Sequence, residues 1–104
     1  MDQEKIFSKM KKELSTKIKV SKIYLFGSRA TGSATEQSDY DIAIVSTSFE
    51  GMTFMDRQAI VRPLLRKALG IKPIDAACYT PEEFAAGREA FLPGIIAREG
   101  IASV

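Results

Sequence analysis

The chain has 104 residues, 45% hydrophobic and 27% charged, with a net charge of +2; that is enough for one domain with its own core, but it leaves little room for a second substrate-binding domain and gives no broad basic footprint for nucleic acid. There is no histidine and one cysteine, Cys78, which excludes imidazole-based catalysis, an internal disulfide, and zinc sites built from histidine or several thiolates. Any metal would have to be a hard cation held by carboxylates, such as magnesium or manganese.

Residues 2–17 predict a helix, because Ile6, Met10, Leu14 and Ile18 recur at a spacing of four, Phe7 widens the stripe, and lysines fill the other faces as a solvated surface. The opening "MDQEKIFSKMKKEL" has no apolar core of the kind a secretory signal needs. No apolar run approaches the ~20 residues of a membrane span, so a cytoplasmic protein is expected. "VSKIYLFG" (20–27) is rich in β-branched and aromatic residues and reads as a buried strand ending at Gly27. "SRATGSATEQ" follows as a loop with one helical turn starting at Ser28. "SDYDIAIVST" (38–47) is a second strand, apolar from Ile42 to Val45, and "SFEGM" is a turn.

A helix from Thr53 to Leu69 comes next, with Ile60, Leu64 and Ala68 as its buried stripe and Val61 and Leu65 beside them. Pro63 is expected to kink or break it, and Gly70 to stop it. "IKPIDAACYT" (71–80) is a third strand, with Pro73 marking an early or edge position. "TPEEF" carries a helix-start signature: Thr80 as N-cap, Pro81 at the first helical position, Glu83 completing a capping box. The last helix is predicted to run to about Glu99, interrupted at Pro93–Gly94. The expected fold is α/β (α+β), one domain spanning 1–104. The first two strands are antiparallel neighbours and the last two are parallel across a helical crossover. Together they make a small mixed sheet with helices packed mainly on one face.

"LFGSRATGSATEQSDYDIAIV" (25–45) carries the chemistry. Strand alternation puts Asp39 and Asp41 on one face and Tyr40 on the other. Two carboxylates so placed repel each other unless a divalent cation neutralises them. Asp75 is a charged residue in the otherwise apolar third strand; if that strand pairs beside the second, three carboxylates converge. Such a set could hold two metal ions roughly 3.5–4 Å apart around a phosphoryl or nucleotidyl transfer. The Gly27–Ser28 turn is the complementary half. Gly27 allows backbone to approach a ligand closely, Ser28 opens a helical turn whose N–H groups suit phosphate, Arg29 adds a fork able to grip phosphate, and Gly32 relaxes the turn again. The lysine of a P-loop is missing.

"GSRATG" followed by "SDYDIAIV" resembles the signature of the DNA polymerase beta-like nucleotidyltransferase superfamily, and the compact size resembles its minimal nucleotidyltransferases. The resemblance covers about Ile23 to Phe84. It implies that Gly27, Ser28 and Arg29 hold the nucleotide and that Asp39, Asp41 and Asp75 are catalytic and bind two magnesium ions, with manganese as a substitute. The implied reaction is attack of an acceptor hydroxyl on the α-phosphate of a nucleoside triphosphate, ATP favoured, with release of pyrophosphate. Minimal nucleotidyltransferases are often paired with helical HEPN proteins in toxin–antitoxin modules, so the implied acceptor is a hydroxyl of such a partner. The alternative implied by the same pairing is a catalytically weak or inactive antitoxin that acts by binding alone. Thr31 departs from the family pattern, standing where many relatives carry a second basic residue.

Other candidates read as structural. Cys78 is expected as a small buried hydrophobe; Met52, Phe54, Met55 and Tyr79 are expected in packing. On the Asp face the strands continue as Ala43, Val45, Ala77 and Tyr79, an apolar surface that predicts a covering partner protein or a homodimer.

Overall fold

In the computed structural model, residues 3–26, 40–87 and 101–102 are described. Helix α1 is Gln3–Leu14 and strand β1 is Lys22–Phe26. Strand β2, Tyr40–Val45, leads into a 3₁₀ turn at Thr47–Phe49. Helix α2 is Phe54–Leu69, strand β3 is Ile74–Tyr79, helix α3 is Pro81–Ala86 and strand β4 is Ile101–Ala102. Among the described residues no helix is long and apolar enough to cross a membrane.

The sheet runs in the order β3-β2-β1-β4. β1 and β2 are antiparallel, from Lys22 opposite Val45 to Phe26 opposite Asp41. β2 and β3 are parallel, from Tyr40 beside Ile74 to Val45 beside Tyr79. Both pairings agree with the sequence reading. β4 is an addition, antiparallel to β1 through Tyr24–Ala102 and Leu25–Ile101; two residues are too few for a periodicity to register.

The main core lies between one face of the sheet and the helix pair α1 and α2. Ile6, Met10 and Leu14 of α1 meet Ile23, Leu25, Ile42 and Ile44 of the sheet and Val61, Leu64 and Leu65 of α2. The buried side of α2 is Gln58, Val61, Leu64 and Leu65, while Ile60 and Ala68 are half-buried. The expected stripe is therefore rotated by about one residue. Pro63 does not break the helix. Both Pro63 and Ala59, whose carbonyl would accept the missing N–H bond, lie on the exposed side, where water can satisfy that carbonyl. Thr53 caps the start through its hydroxyl on the Asp56 N–H, and Gly70 ends the helix at φ 80, a conformation open to glycine.

Ser46, wholly buried, closes the far end of β2. Its hydroxyl donates to the Lys19 carbonyl and accepts the Ser48 N–H, while Ser48 Oγ accepts the Lys19 N–H at 3.0 Å. Buried polar atoms are thus used to tie the α1–β1 connection to the sheet.

The outer edge of β3 is held by side chains of α2. In a parallel strand alternate residues turn their backbone groups to opposite sides. The Pro73 and Tyr79 carbonyls face β2, accepting from Tyr40 and Ser46. The alternate carbonyls face outward and are met in turn. Arg66 reaches Lys72 O at 3.4 Å, Arg62 reaches Ile74 O at 3.3 Å, Gln58 reaches Ala76 O at 2.8 Å, and Arg57 reaches Cys78 O at 3.3 Å. Helix and strand run antiparallel, and their repeats match. Four helical residues advance ~6 Å and two strand residues ~6.6 Å, so Arg66, Arg62 and Gln58, one turn apart, meet successive outward carbonyls, and Arg57, next to Gln58, reaches the fourth.

Candidate active site

Strand alternation fixes the two described acids. Tyr40 enters the main core at 5% exposure, so its neighbour Asp41 turns to the opposite face, where it is half-buried. On β3, Ile74 and Ala76 are buried against the helices and Asp75 between them is exposed on that same opposite face. Asp41 and Asp75 are direct partners in the parallel ladder, and adjacent strands lie roughly 4.8 Å apart. Carboxylates on neighbouring strands of one face favour a cation or hydrogen-bond donors between them. Phe26, the last residue of β1, pairs with Asp41 on its other side. The chain therefore leaves β1 toward Gly27 right beside the acid pair.

Gly27, Ser28, Arg29, Thr31, Gly32 and Asp39 lie outside the described residues. Among the described residues no group of three His, Cys, Asp or Glu could hold a metal ion. Asp41 and Asp75 are hard oxygen donors on one face in one register, a donor set that fits a hard divalent cation; its third carboxylate, if Asp39, comes from the undescribed stretch.

Beyond the acids the same face is apolar, and the chain covers part of it. Phe84 of α3 lies over Ala43 and Val45, stacks on Tyr24 at 5.1 Å between ring centroids, and meets the edge of Tyr79 at 5.6 Å. Ala43 is fully buried and Val45 nearly so. Part of the face on which a covering partner was expected is thus covered by α3 of the chain itself. The sequence placed the start of α3 but not the direction of its one large apolar side chain. At the end of the strands away from Asp41, ~13 Å along β2, a shallow cleft of about 190 Å³ is lined by Lys22, Tyr24, Val45, Pro81, Phe84 and Ala85.

The start of α3 is as predicted. Thr80 and Glu83 form the capping box, with Pro81 at its first position. A partner unseen in the sequence joins it: Arg57, from the first turns of α2, grips Glu83 with two hydrogen bonds at 2.6 and 3.0 Å and also donates to Met52 O at 3.0 Å. Its guanidinium lies 5.7 Å from the centre of the Phe49 ring. The Arg57 fork and the Thr80 N–H hold the Glu83 carboxyl down at about 2, and the same hydrogen bonds raise Arg57. Twenty-six residues separate the two, so no local pattern announces the pair.

Cys78 is half-buried, not enclosed, and packs against the main core; desolvation pushes its thiol up to about 11 against the opposing charge of Arg57. Burial also raises Tyr79, with smaller contributions from Cys78 and Glu83. Met52 packs on the core as expected, whereas Phe54 and Met55 are 69% and 71% exposed, because both point away from the stripe that α2 buries.

Residues 7–100 match the family described as nucleotidyltransferase domain. A Methanocaldococcus jannaschii protein that carries the name "Putative protein adenylyltransferase" is 39% identical over 69 residues, covering 66% of this chain and 68% of that one. Among solved structures, a Sulfolobus solfataricus protein described as "a putative nucleotidyltransferase" is similar with a TM-score of 0.61 at 20% identity, over 96% of this chain and 83% of that one. BolA1 from Arabidopsis thaliana is similar with a TM-score of 0.56 at 25% identity, over 75% of this chain and 94% of its own. The two structural likenesses are of fold; the sequence matches bear on the family.

Proposed function

This chain belongs to the nucleotidyltransferase domain family, and from that premise we propose that it transfers AMP from ATP to a hydroxyl on a partner protein, in a reaction that depends on magnesium. The observation that carries the reading is the pairing of Asp41 and Asp75 in one parallel register, beside the end of β1 at Phe26, which Gly27 and Ser28 follow in the sequence. The name of the Methanocaldococcus jannaschii relative supports ATP as donor and protein as acceptor. The partner we infer is a helical protein of the HEPN type, as in toxin–antitoxin pairs.

In this reading Asp39, Asp41 and Asp75 would hold the magnesium ions. Bound there, the ions would supply charge neutralisation of the triphosphate and of the leaving group. The remaining work falls to the chain. Gly27, Ser28 and Arg29 bind the phosphates and orient the α-phosphorus. The acceptor oxygen forms a bond to that phosphorus as the bond to the α–β bridging oxygen breaks, and pyrophosphate leaves. In this reading Asp75, the more exposed acid, would also assist the acceptor by taking its hydroxyl proton.

The test is incubation with each labelled nucleoside triphosphate, magnesium and the product of the adjacent gene. Label is expected on the partner from ATP. Asp39→Asn and Asp41→Asn should each reduce transfer at least about a hundredfold, consistent with loss of several kcal/mol of charge stabilisation. Tight partner binding without transfer, unchanged by either substitution, would overturn the reading.

A further inference from the structure

Asp75 sits on a strand that is gripped from both sides. Its own backbone groups face β2, in the ladder that pairs it with Asp41. The carbonyls on either side of it, Ile74 O and Ala76 O, face outward and are held by Arg62 at 3.3 Å and Gln58 at 2.8 Å. Arg62 Nη1 also lies 3.5 Å from Gln58 Oε1, so the two donors brace each other one helical turn apart. Gln58 is buried at 9% exposure and is anchored on the helix that carries the main core. Neither side chain reaches the acids, which lie on the other face of the sheet. Their grip fixes the sideways and lengthwise placement of the peptides that carry Asp75. A metal site needs its ligands held to within about half an ångström.

We propose that Arg62, braced by Gln58, is a positioning residue that sets the Asp75 carboxylate against Asp41 for metal binding. This rests on the reading of Asp75 as a metal-holding carboxylate. Losing a group that orients a metal ligand directly costs roughly 10- to 100-fold in affinity; Arg62 acts through the backbone of the strand and should cost less.

The experiment measures Mn²⁺ binding by electron paramagnetic resonance in the presence of α,β-methylene ATP, on the full chain, at a temperature where circular dichroism shows every variant folded. Asp75→Asn tests the underlying reading, Arg62→Ala the proposal, and Arg62→Lys rescue by a shorter donor of the same charge. Arg66→Ala is the control, since Arg66 caps Lys72 O outside β3. Expected are a tenfold or greater loss for Asp75→Asn, a three- to tenfold loss for Arg62→Ala, partial recovery in Arg62→Lys, and wild-type affinity for Arg66→Ala. Faster amide exchange at Asp75 and Ala77 should accompany the Arg62→Ala loss. Wild-type Mn²⁺ affinity in Arg62→Ala alongside a weakened Asp75→Asn overturns the positioning role and leaves the site reading standing. Equal losses in Arg62→Ala and Arg66→Ala overturn it as general loosening. Wild-type affinity in Asp75→Asn overturns the site reading and the proposal with it.

Discussion

Glu83 accepts hydrogen bonds from both arms of Arg57 and from the Thr80 N–H, and its behaviour in acid follows from that. Its carboxyl titrates near 2 in the folded chain against an ordinary value of 4.5. A lowered folded value means that the stability it contributes is fully present above about 4.5, declines as pH falls, and is gone below about 2. The side chain is 46% exposed, so solvent screens the pair and its worth is modest. Glu83→Gln should lower unfolding free energy at pH 7 by about 1 kcal/mol, with the gap from wild type closing as urea titrations are taken down to pH 2. Cys78 makes the second prediction at this scale. With its thiol near 11, very little thiolate exists at neutral pH. Iodoacetamide should label the native chain about two orders of magnitude more slowly than an unfolded one, and labelling in urea should restore the ordinary rate.

At the scale of elements, the strands were legible because their periods are short and their faces differ. Tyr40 inward and Asp41 outward follow from alternation alone, and so does the shared face of Asp41, Ala43 and Val45. The parallel pairing of β2 and β3 followed from the length of the helical crossover. The capping box at Thr80 and Glu83 was legible because its residues are three apart. What sequence could not supply was anything set by distant contact. The rotation of the α2 stripe toward Val61 and Leu65 depends on where α1 docks, and the Arg57–Glu83 pair joins two helices. Pro63 misled for the same kind of reason, since its cost depends on which side of the helix it occupies. Because it lies on the exposed side, α2 tolerates the lost bond without breaking, yet still bears a cost. Pro63→Ala should stabilise the chain by about 1–2 kcal/mol in urea unfolding, less than the full ~3 kcal/mol of an interior proline because the freer unfolded chain offsets part of it.

At the scale of the whole molecule, the described residues cover the two faces of the sheet unequally. One carries two helices and the main core. The other has the acids at one end and, toward the other end, a thin cover built on Phe84. Phe84→Ala should cost about 3 kcal/mol and uncover Val45, Tyr24 and Tyr79. The check is paired: urea unfolding for the loss, and binding of an apolar dye to the folded variant for the exposure. Dye binding no greater than that of wild type would show that Phe84 is not the cover. The acid half of the candidate site was readable because two aspartates interrupt apolar strands; the cover was not, because nothing in "TPEEF" says where a single ring will fall.

The row of α2 side chains along β3 has a consequence for crowded solutions. Growth of a sheet from molecule to molecule requires two adhesive margins, one to receive and one to offer. On this molecule one margin already has its carbonyls at Lys72, Ile74, Ala76 and Cys78 spoken for. A strand from another copy approaching that margin would have to compete with the α2 side chains for those carbonyls. A fibre needs two sticky margins, and in this fold the acceptors of one of them are already engaged from within.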